Sequence, residues 1–201
     1  MIKIYNSGDD LMSDILIDAV RFLNDKTNDI DHNLSVSKIL YNMKCDDNDA
    51  VVSGILHNIL DFGVSIQNVE NNFGMVVAAI VEQISEDKNL TWNESKHNFF
   101  IMAENAPSFI KSIILADCYD HVKRIVSDNS FKNNTEDLIW YYDNMLSSLK
   151  PKSNYKVGYK IYYLIFRNAI KNIMNMYMNV GVLLRMVLVV HIIVQIILGW
   201  L

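Results

Sequence analysis

The chain has 201 residues, 51% of them apolar, with seven Gly, two Pro and a formal net charge of −5. That length admits one domain of ordinary size plus an appendage. The charge is split: residues 1–149 hold all 23 acids and a net −12, whereas residues 150–201 hold seven cations and no acid. A body this acidic repels phosphate backbones, which excludes a general nucleic-acid binder.

Taken in chain order, the apolar residues recur at three-four spacing and predict helices throughout. The start, MIKIYNSGDDLMSD, is acidic and short of apolar residues, unlike a signal peptide. Residues 10–24 place Leu11, Ile15, Ile17, Ala19, Val20, Phe22 and Leu23 on one broad face. HNLSVSKILYNM gives a second helix, entered near His32. CDDNDAVVSGILHNIL gives a third, with Asp47 or Asn48 as N-cap. QNVENNFG reads as a short helix closed by Gly74, followed by the apolar MVVAAIVEQI. TWNE is a capping box, Thr91 with Glu94, opening a helix that runs to about Ala106. Pro107 starts the helix that carries SIILADCYDHVKRIV, and Asn134 or Thr135 opens NTEDLIWYYDNML. This is an all-α, bundle-like domain ending near Ser148. Cys45 and Cys118 fit no metal-binding spacing and are expected as thiols in a reducing cytoplasm.

After the linker KPKSN the composition changes. YKVGYKIYYLIFRNAIKNIMNMYM is basic and aromatic, and residues 180–201 are almost wholly apolar, broken by Arg185, His191 and Gln195. As a helix that last stretch would extend ~33 Å, enough for a bilayer core, although the part after Arg185 is short. The basic segment before it suits a cytoplasmic flank. Two expectations stay open for residues 155–201: attachment to the inner face of a membrane, or a helix buried against protein, as in a homo-oligomer.

Polar residues interrupt the apolar runs at few places. His57 and Asp61 stand four apart, as do Asp117 and His121, and each pair is expected on one helix face. Imidazoles and a carboxylate brought together from three helices could hold a divalent metal. Trp92 and Trp140 are expected in the core.

The order His32, then His57-Asn58, then Asp117 within "LAD" resembles the HD-domain phosphohydrolases. The nearest likeness is to the guanosine-polyphosphate (ppGpp) hydrolases, the hydrolase half of RelA/SpoT-type enzymes and their small stand-alone relatives. VVSGILHNIL looks like the family's A-A-x-L-H-D segment. NVENNFGMVVAAIVEQISEDKNLTW and WNESK resemble two further family stretches. The resemblance spans residues 10 to 148 and implies an HD helical bundle over 1–149. It also implies a manganese ion held by two His and two Asp, and cleavage of a nucleotide 3′-pyrophosphate.

The implied ligands are His32, His57, Asn58 and Asp117, with His121 as a replacement ligand. Asp61 is the implied water-positioning residue, and Lys88 and Lys96 match positions near substrate. The sequence departs from the family at the HD pair itself, where Asn58 replaces Asp. A single acid, Asp61, stands for the family's Glu-Asp pair. Ser95 replaces an Arg, and His121 replaces an Asn. The segment FLNDKTNDIDH before His32 is shortened and rather acidic, with Lys26 its only cation. Two functions are therefore expected: a hydrolase with a rebuilt site, or a binding module without turnover, tethered by its tail.

Overall fold

The computed structural model describes residues 7–45, 47–128 and 135–175, and among them every regular element is helical. The order is α1 (Ser7–Asn24), α2 (Asp31–Asn42), α3 (Asn48–Leu56), a 3-10 turn (Ile59–Phe62), α4 (Ile66–Ile84), α5 (Trp92–Asn105), α6 (Ser108–Asp128) and α7 (Thr135–Ser148). A further helix, α8, covers 157–175.

Local chemistry sets most boundaries. The Asp47 carboxylate accepts the Ala50 N–H at 2.9 Å and opens α3. Thr91 and Glu94 form the expected reciprocal box at the start of α5. Gly74 adopts φ 87°, ψ 166° inside α4 and divides it into a mostly polar first half and an apolar second half, where the sequence expected two helices. Only glycine takes that backbone conformation at low cost.

One boundary differs from expectation. The helix predicted to run through HNIL stops at Leu56. The carbonyls of Gly54 and Ile55, which would receive the next helical N–H groups, instead accept the side chains of His57 (3.0 Å) and Asn33 (2.8 Å). The chain turns at His57-Asn58 and resumes as the 3-10 turn, so His57 and Asp61 do not share a helix face.

Two apolar clusters form the interior. One joins α1, α3 and α4 through Leu23, Ile55, Leu56, Ile59, Val77 and Val81. The other joins α2, α5, α6, α7 and α8. Helices α2, α3 and α6 pack on one another and sit where the clusters meet. The approach of α2 to α3 is close: a Cβ on Gly54 would collide with Leu40 Cδ1. It is this joint that positions the site.

The change in charge at residue 149/150 does not interrupt the second cluster. Tyr155, Tyr159, Phe166, Ile170 and Ile173 are buried in it. The Tyr159 hydroxyl donates to the Leu149 carbonyl at 2.7 Å. Buried Lys111 of α6 donates to the Ser148 carbonyl at 2.9 Å, satisfying the end of α7. The apolar stretch expected over 180–201 lies outside the described residues, and no described helix is long and apolar enough to cross a membrane. Trp92 and Trp140, expected in the core, are 49% and 43% exposed. They lean on each other with centroids 5.6 Å apart, and Trp140 also meets buried Phe100 edge-on, so the pair lies half-buried at the border of the core.

Candidate metal centre

His32 comes from the first turn of α2, His57 from the C-cap of α3, and Asp117 and His121 from one face of α6. Their side chains meet at a single atom. Asp117 Oδ1 lies 2.9 Å from His32 Nε2, 3.5 Å from His57 Nε2 and 3.2 Å from His121 Nδ1. His32 stacks on His121 and meets His57 edge-on. The ligating atoms of His32, His57 and Asp117 all lie within 4.8 Å of one another.

What stands behind the imidazoles decides what they can do. His57 Nδ1 donates to the Gly54 carbonyl, which can only accept. Burial pushes the His57 imidazole below its ordinary pKa, against the opposing pull of Asp117, so the ring is neutral. Its one proton is therefore on Nδ1, and its bare Nε2 faces the Asp117 carboxylate. Two acceptors set 3.5 Å apart repel unless a cation lies between them. This is the feature of the site that fits a metal ion.

His32 is held differently. Its Nδ1 meets Asp120 Oδ2 at 2.8 Å while Nε2 faces Asp117. Burial lowers its pKa, but hydrogen bonds and charge from the two carboxylates outweigh that and raise it. Asp120 is almost fully buried and is itself bound by Ser35 Oγ and by Arg124 Nε (2.6 Å). It stays ionised because those bonds and His32 overcome the cost of burial. Asp117 is likewise a carboxylate: burial opposes its charge, and the hydrogen bond from His32 leads the interactions that hold it well below the ordinary range. A carboxylate behind a ligating His fixes its tautomer and aims its other nitrogen.

The remaining expected residues are placed as follows. Asn58 lies on the cavity wall, and its Oδ1 accepts Asn33 Nδ2 at 2.7 Å. Asp61 also lines the cavity but is exposed and ion-paired with Lys88 at 3.0 Å. Lys96 pairs with Glu86 and lies over the Tyr141 ring. The site sits at the floor of a cavity of about 600 Å³, whose wall includes Glu86, Trp92 and Tyr141. Burial keeps the Tyr141 phenol protonated, and its hydroxyl is hydrogen-bonded to the buried Cys118 thiol.

Asp120, Asn33 and Tyr141 were not singled out from the sequence. Asp120 had a usable signal: it stands three residues after Asp117 and four before Arg124, so all three share a helix face. Asn33 had none, because its partners lie 22 and 25 residues away.

The HD-domain family model matches residues 19–121, just over half of the chain, and includes every proposed ligand. The chain belongs to the HD-domain family. Among solved structures it is similar to lmo0812 from Listeria monocytogenes EGD-e, with a TM-score of 0.61 and 23% identity over 70% of this chain and 99% of that one. It is also similar to a metazoan ortholog of SpoT that hydrolyzes ppGpp and plays a role in starvation responses. There the TM-score is 0.66 and identity 19%, over 76% of this chain and 93% of the other. At these identities the likeness is one of fold, a ppGpp-hydrolase-like HD bundle. No curated protein sequence matches the chain.

Proposed function

We propose that this protein is a metal-dependent phosphohydrolase acting on nucleotide phosphate esters, a class that includes guanosine 3′,5′-bis(diphosphate). The carrying observation is the bare His57 Nε2 aimed at the Asp117 carboxylate, with His32 and His121 closing on the same oxygen. His32, His57 and Asp117 would hold the ion. His121 supplies the further donor that the Asp-to-Asn change at position 58 removes, and Asn58 adds an uncharged one. Two or three imidazoles with one carboxylate suit a first-row divalent ion, and manganese is our assignment on the family resemblance alone. When bound, such an ion polarises a phosphoryl oxygen and acidifies water.

The chain's own groups divide the remaining work. Asp117 and the neutral His57 present fixed acceptors and need no proton transfer before binding. Asp61 at the rim can orient water on the open side, with Lys88 beside it and Lys96 nearby steering the ester. Support for nucleotides as the class comes from the HD-domain match and from the activity of the metazoan SpoT ortholog.

A second reading, a binding module without turnover, is favoured by one feature. Asn58 carries no charge, and its oxygen already receives the Asn33 amide. The test separates the two. The full chain is incubated with manganese, freed of excess and measured for metal content, and then assayed for release of phosphate and pyrophosphate. Close to one equivalent with turnover sustains the hydrolase. One equivalent without turnover sustains the binding module, and no retained metal removes both forms of the metal site.

A further inference from the structure

The side-chain amide of Asn58 is fixed in orientation by its neighbours, and its nitrogen is left without an acceptor. Asn33 of α2 is buried, and its Nδ2 donates to the Ile55 carbonyl at 2.8 Å and to Asn58 Oδ1 at 2.7 Å. A carbonyl can only accept, so the Asn33 amide cannot be turned the other way round. Those two bonds use both Asn33 protons. Asn58 is fixed in turn: its oxygen must face the Asn33 nitrogen, because two amide nitrogens face to face would have no acceptor between them.

The Asn58 nitrogen is therefore the end of the amide turned away from Asn33. It has no hydrogen-bond partner among the described residues. The one buried side-chain nitrogen or oxygen left unpartnered among those residues is Ser53 Oγ, so the Asn58 nitrogen is not enclosed by protein. Asn58 is half-buried and lines the cavity together with His32, His57, Asp117 and His121. Three other donors on the same wall are already engaged: Lys88 with Asp61, Ser95 with Glu86, and Ser85 with the Val81 carbonyl.

An aspartate at position 58, held by Asn33 in the same way, would offer a second acceptor oxygen where Asn58 offers two N–H protons. The change of residue thus replaces an acceptor by a donor on the cavity wall. Beside a cluster of imidazoles and a carboxylate suited to a cation stands a group suited to an anion.

We infer that Asn58 is an anion-binding residue, its amide nitrogen donating to an oxygen of the phosphoryl group held at the candidate ligands. This rests on the phosphohydrolase reading and assigns the group on the protein that meets the phosphate. Asp could not take this role, because a carboxylate would face the phosphate with like charge.

The test titrates inorganic phosphate by calorimetry into the full chain at saturating manganese, with metal content and ester turnover measured on the same samples. Asn58→Ala removes the donor without adding charge. It should leave manganese content unchanged and weaken phosphate about tenfold or more, the size of a lost hydrogen bond to a charged group. Asn58→Asp keeps the shape of the side chain and the acceptor for Asn33, so it tests the same point if the alanine variant loses its helical circular dichroism. It should weaken phosphate further while manganese content holds or rises.

Undiminished phosphate affinity in Asn58→Ala overturns this inference and leaves the hydrolase standing. So does an Asn58→Asp protein that binds phosphate more tightly than the unaltered chain, which would make position 58 a ligand to the ion. A loss of phosphate binding matched by an equal loss of manganese overturns it too, since the effect would then pass through the ion. An unaltered chain with no retained manganese, no bound phosphate and no turnover overturns both.

Discussion

The floor of the cavity and its rim are built from the same residue types and behave differently. On the floor, Asp117, His32 and His57 are mostly buried, and both of these imidazoles have a second partner behind them. On the rim, Asp61 with Lys88 is an ion pair about two-thirds exposed, with no described side chain behind it. A buried polar group persists only if its bonds are satisfied. An exposed ion pair persists at almost no cost and contributes little. The difference shows which charged residues the fold is organised around. The floor is a fixed arrangement of ligands, and the rim is a surface whose charges can be exchanged.

The largest expected effect breaks the floor. His57→Ala removes the one bare nitrogen aimed at Asp117 and should reduce retained manganese from close to one equivalent to none, measured by elemental analysis of the full chain. A variant that keeps its helical circular dichroism and still retains the ion would place the metal elsewhere. Next comes the layer behind the floor. Asp120→Asn leaves every proposed ligand in place but weakens the group that orients His32. Loss of such a partner typically costs ten- to a hundredfold in metal affinity, and competition with a chelator should show a drop of that size. An unchanged affinity would make Asp120 a structural partner of Arg124 and Ser35 alone.

These residues were unequally legible in the sequence. The helices were readable because their apolar periodicity and their caps, Asp47 and the Thr91–Glu94 box, are local features. His57 and Asp117 were legible because each interrupts an apolar run, His121 because it stands one turn after Asp117, and the HD-domain resemblance added His32 and supplied the order. The break after Leu56 was not legible. It depends on Asn33 and His57 capturing carbonyls of α3, and Asn33 comes from another helix. That break sends Asp61 to the rim, which a continuous helix would not. The extent of the core was masked for a related reason. Residues 157–175 change sign in charge and look like an appendage, but Phe166 and Ile170 face inward and the cations stay near the surface. Burial is decided by which side of a helix faces the bundle, and net charge does not report that.

The same contrast sets the pH dependence of metal uptake. His32 lies between two carboxylates, so its folded pKa stands above the ordinary histidine value. Below that raised pKa its Nε2 carries a proton that an incoming ion must displace. His57 titrates in the opposite sense, lowered by burial, and has no proton to release in the neutral range. Affinity for manganese should therefore fall about tenfold per pH unit as the pH drops below the His32 pKa, the slope of one proton exchanged per ion. Asp120→Asn removes part of what raises His32, so the bend should move to lower pH. In the metal-free protein the sign reverses. The ion pairs of His32 stabilise the fold fully below its unfolded pKa and are lost as pH rises through the folded one. A bend that stays in place in Asp120→Asn would mean that Asp117 alone sets the charge of His32.

The smallest effect belongs to the rim, and it is informative because it should be small. Lys88→Met breaks the pair with Asp61, two exposed side chains in high-dielectric surroundings. Such pairs contribute at most about 1 kcal/mol, and commonly less, so the melting temperature should barely move and manganese retention should be unchanged. What should change is the sign of the cavity mouth. With Asp61 uncancelled, the rim gains a negative charge, and the on-rate of any phosphate ester should fall, most clearly at low ionic strength, where screening is weakest. If Lys88→Met lowers metal retention as much as Asp120→Asn does, the division between floor and rim is false. Asp61 would then belong with the ligands and not in the water-positioning role that the resemblance implied.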